Sequence, residues 1–221
     1  MNRDPSMLKE RLGYWMFREF GIAAPRVAHA RLLINGVFNG IYAIVEHVDG
    51  RFTRSRFREG GEGNLYKEAW PITANAGATA EVELALRLET NEDENPSFAK
   101  MRGFGAAIES AEFATLPDAI EAWTDIDYTL RYIAVDRGLA HDDGPFHCYA
   151  GSGSAWNHNY FWYEEPVEER LWIVAWDLDS AFNLNNPGTT LWIEWDDTEA
   201  GCAPAIDPPF TIALRAPACD K

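Results

Sequence analysis

The feature that most restricts how this chain can fold is a pair of strand-like segments in its last third. The first, Asn159 to Tyr163, is aromatic, and the second, Leu171 to Trp176, is apolar throughout and ends at Asp177-Leu178-Asp179. Residues 164 to 169 between them are typical of a turn. A carboxylate that follows a buried strand is held rigidly by the sheet and still faces its open rim. The pattern predicts a hairpin with an acidic site at one end.

The first part of the chain predicts one helix and a second hairpin. Asp4-Pro5 is typical of a helix start, and apolar residues then recur at helical spacing up to a stop at Gly21. Asn35-Gly36 separates apolar runs over residues 26–34 and 37–48. Asn-Gly is the strongest short hairpin signal, because both residues adopt positive φ at little cost. We therefore predict two antiparallel strands joined at this turn.

The remaining segments predict loops and helices in succession. Residues 50–64 and 70–80 have the composition of loops, whereas a helical pattern prevails beyond residue 95. The predicted helices are 96–113, 117–123 and 125–139, the last capped by Asp125, and a strand-like piece follows over 190–195.

The charge balance limits the classes of partner. The chain of 221 residues has 19 Lys and Arg against 35 Asp and Glu, a net charge of −16. Such a charge repels nucleic acid and anionic lipid, so we expect neither as a partner. We expect no membrane insertion, because no apolar run is long enough to span a bilayer.

Compartment is left open by the sequence. Residues 1–20 predict an amphipathic helix with charges throughout, so the chain as written carries no export signal. Cys148, Cys202 and Cys219 have no zinc spacing. A Cys202–Cys219 disulfide would form only if the protein is exported. The sequence does not decide whether these cysteines are paired.

Acidic and amide side chains follow one another in an order that suits phosphoryl transfer. Asp142 and Asp143 end a predicted helix, Asn159 begins the aromatic strand, and Asp177 and Asp179 end the next strand. In protein kinases a loop Asp orients the attacking hydroxyl, while an Asn and a second Asp hold the metals that bridge the phosphates. Each residue alone is better explained as a turn or strand-end residue, whereas the order they share favours the catalytic interpretation. An Asp-x-Asp after an apolar strand also suits a metal-dependent glycosyltransferase.

A set of short motifs occurs in a fixed order along the chain: Asp4 to Leu12, Asn35-Gly36 to Asp49, Gly63-Asn64-Leu65-Tyr66-Lys67, Asp136 to Gly144, His158-Asn159-Tyr160 and Trp176-Asp177-Leu178-Asp179. In these motifs and in their order the chain resembles the CotH (spore-coat protein H) kinase family of atypical protein kinases.

The resemblance implies roles for individual residues. Asp143 is expected to be the catalytic carboxylate, since the family places this Asp directly before Gly. Asn159 and Asp177 are expected to bind magnesium, with Asp179 as a further metal ligand. Lys67 and Glu46 are assigned to the ATP cleft. Glu10 is expected to be an exposed helical residue, and we expect His141, His147 and His158 to be loop residues without a metal role.

The resemblance also implies fold and function. We expect an α+β, atypical protein-kinase-like domain over residues 1–221, with a partial β-rich nucleotide lobe (1–90) and a helical catalytic lobe with a β-hairpin active site (91–221). It would transfer the γ-phosphoryl group of ATP, with Mg²⁺ or Mn²⁺, to Ser or Thr hydroxyls of a secreted, surface or spore-coat protein.

Departures from the family pattern favour an alternative. The chain lacks the family's Lys-bearing β region before the first helix and stops where members continue, so we expect truncation at both ends. His141 stands where the family has Asn. A non-catalytic surface or coat component with a kinase fold is therefore the second hypothesis, and the glycosyltransferase is the third.

Overall fold

The computed structural model describes residues 4–57, 61–69, 71, 77–141, 144–146, 148–151, 154–156, 158–182 and 190–191. The fold is a mixture of helices and antiparallel sheets, which confirms the α+β class. The helices are α1 (Lys9–Glu19), α2 (Gly50–Arg56), α3 (Gly77–Leu86), α4 (Ala99–Ser110), α5 (Leu116–Glu121) and α6 (Ile126–Gly138). The strands are β1 (Val27–Ile34), β2 (Val37–Val45), β3 (Asn64–Lys67), β4 (Cys148–Gly151), β5 (Ser154–Trp156), β6 (Tyr160–Glu164), β7 (Leu171–Ala175) and β8 (Thr190–Leu191).

The strands form three antiparallel sheets, with the orders β1-β2, β3-β6-β7 and β5-β4-β8. The second is the central sheet. Its β6–β7 pair joins Tyr160 to Ala175 at one end and Glu164 to Leu171 at the other. This is the hairpin that the aromatic and apolar runs predict. Strand β3, which contains the Asn-Leu-Tyr-Lys motif, pairs with the other edge of β6.

The Asn-Gly hairpin is confirmed. Ile34 pairs with Val37, and Asn35 and Gly36 have φ angles of 50° and 83°. Both faces of this two-stranded sheet expose apolar side chains, and Val37 is 71% accessible.

Helix α1 begins later than the sequence predicts. Asp4 does not cap it directly, because Met7 has a positive φ of 55° that interrupts the helical path. The Asp4 carboxylate instead accepts from the backbone N–H groups of Ser6 (3.0 Å) and Lys9 (2.9 Å). It therefore stabilises the turn that leads into the helix.

Two segments that were predicted to be loops contain helices. Helix α2 lies within residues 50–64, and the carboxylate of Asp49 caps it by accepting from the N–H groups of Arg51 and Phe52. Helix α3 lies partly within residues 70–80. The cap of α6 is confirmed, since Asp125 accepts from the N–H of Tyr128 at 2.8 Å.

The central sheet separates two hydrophobic clusters. Tyr66, Trp162 and Ile173 alternate onto the face that packs against α1, α4 and α6. The opposite face packs a smaller cluster against α2, with Leu65, Phe161, Tyr163 and Val174 from the sheet and Val48 and Phe52 beneath them. Burial on both faces makes the sheet a rigid base for the residues at its ends.

Within the described residues, no helix combines the length and the apolar character that crossing a membrane requires.

Candidate functional site

The candidate site lies at the end of the central sheet where β6 begins and β7 ends. Antiparallel pairing places Asn159, just before β6, beside Trp176, just after β7, and the Trp176 N–H donates to the Asn159 carbonyl at 3.2 Å. Asp177 is the next residue along the chain. Two of the predicted metal ligands, 18 positions apart in sequence, are therefore neighbours at one end of the sheet.

The backbone at this end adopts a conformation that non-glycine residues rarely take. Glu68, Asn159 and Asp177 have φ angles of 53°, 64° and 46°. Glu68 directly follows β3, Asn159 directly precedes β6, and Asp177 lies two residues after β7. Such residues are disfavoured by steric contacts with Cβ, and they concentrate at functional sites. Here they turn the chain sharply at the ends of β3, β6 and β7.

Glu68 organises the start of β6. Its Oε1 accepts from the Asn159 N–H at 3.1 Å, and its Oε2 lies 3.6 Å from His158 Nδ1 and 3.7 Å from Arg87. The Glu68 N–H donates to the Tyr160 carbonyl at 3.1 Å. This carboxylate therefore fixes the backbone of Asn159, and sequence reasoning did not single it out.

Helix α1 supplies a third carboxylate to the site. Its residue Gly13 lies against Leu178, and a Cβ at Gly13 would be 2.7 Å from the Leu178 Cδ1 atom. This close approach brings Glu10, one turn earlier, to the Asp177-Leu178-Asp179 segment. Burial, with the charges of Asp177 and Asp179 added, raises the pKa of Glu10 to about 7. Glu10 is half-buried rather than exposed as predicted, and it is a further candidate site residue.

The segment that contains Asp177 is also anchored to the end of α6. His141 is fully buried, and its Nδ1 lies 2.9 Å from Asp136 Oδ1. Its Nε2 donates to the Asp177 carbonyl at 3.2 Å, and the Phe182 N–H donates to the Leu139 carbonyl at 2.6 Å. His141 thus links helix α6 to the residue that is expected to bind metal. It lies in a loop, as predicted, but its side chain is fully buried.

Gly144 shows why the Asp-Gly motif requires glycine. A Cβ at this position would lie 2.5 Å from His141 Nδ1 and 2.8 Å from Asp136 Oδ1. The backbone after position 143 therefore passes directly over the buried His141–Asp136 pair. The predicted catalytic residue, Asp143, and its neighbour Asp142 lie outside the described residues, as do His147, Cys202 and Cys219.

Lys67 reaches the same end of the sheet from β3. It pairs with Phe161 and alternates onto the face of Leu65 and Val174, whereas Glu10 approaches Asp177 from the face of Tyr14. Within the described residues, Lys67 makes no ion pair. A ligand that contacts both Lys67 and Asp177 must therefore lie across the end of the sheet.

Glu46 lies among arginines. Its carboxylate accepts from the N–H and guanidinium of Arg26 and lies 2.6 Å from the Arg56 guanidinium. Partial burial alone would raise the pKa of Glu46, but the hydrogen bonds from Arg26 and the charge of Arg56 hold it below its ordinary value. The partners of this carboxylate in the structure are the two arginines, and its role toward ATP remains a prediction.

The donor set at the end of the sheet suits a hard divalent cation. Asn159 is 8% exposed, and Asp177 and Asp179 are partly exposed, with Asp179 Oδ1 accepting from the Ser180 hydroxyl at 3.1 Å. The raised pKa of Glu10 reflects its burial first and then the negative charges of Asp177 and Asp179. Among the described residues no three Asp, Glu, His or Cys side chains form a closed metal site. Mg²⁺ is usually held by one or two carboxylates with water and phosphate oxygens, so this open arrangement fits it.

Comparison with known proteins gives a family match and one similar curated protein. The model of the family described as CotH kinase protein matches residues 1–209. Inner spore coat protein H of Bacillus subtilis (strain 168) is 22% identical to the chain over 194 residues, which cover 84% of the chain and 49% of that relative. The chain thus spans about half the length of the curated relative that it matches.

Proposed function

The chain belongs to the CotH kinase protein family, and we propose that it transfers the γ-phosphoryl group of ATP to Ser or Thr hydroxyls of a secreted, surface or coat protein. The observation that carries the proposal is the hydrogen bond between Trp176 and Asn159, which sets Asn159 beside Asp177 at an open sheet end. Phosphoryl transfer depends mainly on the placement of charge, and these residues supply oxygen ligands on a rigid base.

The proposed roles follow from position. Asn159 and Asp177, with Asp179 behind them, would hold Mg²⁺ or Mn²⁺, which when bound neutralises phosphate charge. Lys67 would contact phosphate oxygens from the opposite face of the sheet end. The charges of Asp177 and Asp179 contribute to the raised pKa of Glu10, so a bound cation would favour the ionised form of Glu10. Asp143 would accept the proton of the attacking hydroxyl.

Transfer of label from [γ-³²P]ATP to casein or to the protein itself tests the proposal. Asp177→Asn and Asp143→Asn should each reduce the rate by about 100-fold or more, because each acts mainly on the transition state. Asp127→Asn, an exposed change on α6, is the matched control and should retain the rate. Equal activity of Asp177→Asn and the wild type would end the metal-ligand assignment.

A second candidate function is a non-catalytic coat component. It is favoured by the name of the curated relative, a spore coat protein, and by His141 at the position of the family's Asn. Calorimetry with ATP and Mg²⁺ separates the two, because a scaffold without turnover or nucleotide binding gives no heat of binding. Stabilisation by a nucleotide sugar but not by ATP would instead support the glycosyltransferase hypothesis.

A further inference from the structure

A cavity lies at the other end of the central hairpin. It has a volume of about 740 Å³ and is bounded by the end of α1, the end of α2, the start of α6 and the β6–β7 turn. The pairing of Glu164 with Leu171 marks this end, roughly 14 Å along β6 from the pairing of Tyr160 with Ala175. The cavity therefore shares no residue with the candidate site at Asn159 and Asp177.

Three arginines from different helices line the cavity: Arg18, Arg56 and Arg131. Arg18 donates to the Pro25 carbonyl, and within the described residues neither Arg18 nor Arg131 forms an ion pair with a carboxylate. Arg56 forms an ion pair with Glu46, and Glu46 also forms an ion pair with Arg26. In a chain of net charge −16, this concentration of guanidinium groups is a local exception.

Three carboxylates also line the cavity: Asp125, Glu165 and Glu168. Asp125 accepts from the Tyr128 N–H, and the buried Glu165 accepts from the N–H groups of Val167 and Glu168. Asp125 therefore caps the start of α6 and Glu165 stabilises the β6–β7 turn, so both carboxylates already bind backbone N–H groups, whereas Glu168 is exposed. Burial, with the nearby positive charge of Arg56, lowers the pKa of Arg18. Two guanidinium groups thus repel each other at the wall, and a bound anion would relieve that repulsion.

The rest of the wall is aromatic and apolar. Trp172 stands edge-on to Tyr128 with ring centroids 4.9 Å apart, and Phe57 lies 5.9 Å from Trp172. The volume is within the range of sites for organic ligands and exceeds what a free phosphate ion requires. The paired N–H groups of a guanidinium match the spacing of phosphate oxygens. The cavity wall therefore combines arginines that can bind an anion with an aromatic surface that can contact an apolar group.

We propose that this cavity binds a phosphate monoester, with its dianion between Arg18 and Arg131 and its organic part against Trp172. The proposal does not depend on the proposed function, because neither the predicted metal ligands nor Lys67 and Glu46 line the cavity. The same chemistry is presented by a small aryl phosphate and by a phosphorylated side chain of a protein.

Isothermal titration calorimetry in EDTA tests the site without metal-dependent nucleotide binding. Phenyl phosphate should bind saturably and more tightly than inorganic phosphate or phenol. Its phosphate can bind the arginines while its ring packs against Trp172, whereas each of the other two compounds makes only one of these contacts. A short peptide with phosphoserine that binds more tightly than phenyl phosphate would identify a phosphorylated side chain as the source. The reverse order would identify a small molecule.

Arg131→Gln is the decisive variant, since the side chain is exposed and the change should not disturb folding. It should weaken binding of phenyl phosphate about tenfold, as should Arg18→Gln. Arg51→Gln, whose side chain is 83% exposed at the start of α2, is the matched control. No saturable binding, or equal weakening by Arg51→Gln and Arg131→Gln, would overturn the proposal.

Discussion

The Nε2 atom of His141 lies 3.2 Å from the carbonyl oxygen of Asp177, while the other ring nitrogen lies 2.9 Å from the Asp136 carboxylate. A carbonyl oxygen can only accept, so Nε2 carries a proton. The His141 and Asp136 side chains are both fully buried. One imidazole therefore connects the end of α6 to the backbone of a residue expected to bind metal.

Replacement of His141 by Ala should destabilise the fold by about 3 kcal/mol, because it leaves the Asp136 carboxylate buried without its partner. His141→Asn should cost less, since an amide still donates to Asp136. Urea unfolding measures both free energies. His47→Ala, which removes a side chain that is 68% exposed, should change stability by about 0.5 kcal/mol or less. Similar losses for His47→Ala and His141→Ala would contradict the buried role.

The metal-free protein should lose stability as the pH rises from about 4.5 to 7. In that range the carboxyl of Glu10 is ionised in the unfolded chain but still protonated in the folded one, because burial and the charges of Asp177 and Asp179 raise its pKa to about 7. The unfolded state then binds fewer protons, so the free energy of unfolding falls with pH.

Glu10→Gln should remove this part of the slope, on the order of 1 kcal/mol after screening by water at a half-buried site. Thermal unfolding in EDTA at pH 5 and pH 8 measures the difference. Glu19→Gln, an exposed change on the same helix, is the control. An unchanged pH profile in Glu10→Gln would show that Glu10 is not coupled to the aspartates.

Gly13→Ala should destabilise the protein by about 1 kcal/mol, although the same change in a helix usually stabilises by a similar amount. The added Cβ would meet Leu178 Cδ1 at 2.7 Å, so α1 must move away from the Asp177-Leu178-Asp179 segment. Gly138→Ala in α6 has nothing within 4 Å of the new Cβ and should stabilise. Chemical denaturation gives the free energy of unfolding of both variants. If Gly13→Ala stabilises the protein as Gly138→Ala does, position 13 is not in tight contact with Leu178.

Lys67→Met should weaken binding of ATP with Mg²⁺ about tenfold, because it removes a cation from the end of the central sheet. Lys100→Met is the matched control, since Lys100 lies near Glu164 at the opposite end of β6. Calorimetric titration gives both affinities. If Lys67→Met binds ATP as tightly as the wild type, Lys67 has no contact with the phosphates.

The sequence by itself determined the elements whose causes are local. The Asn35-Gly36 turn, the Asp125 cap and the strands that end near Asn159 and Asp177 follow from side-chain chemistry and spacing within a few residues. The family and the candidate residues could be predicted for the same reason, since short motifs occur at fixed spacing along the chain.

Only the tertiary structure decided which side chains share an environment. Glu10 lies beside Asp177, 167 positions away, because Gly13 allows α1 to approach Leu178. His141 is buried because α6 and the Asp177 segment pack on either side of it. Glu46, just after β2, contacts Arg26, just before β1, and Arg56 in α2. Burial and charge coupling depend on the packing of distant segments, and no local pattern of residues encodes that packing.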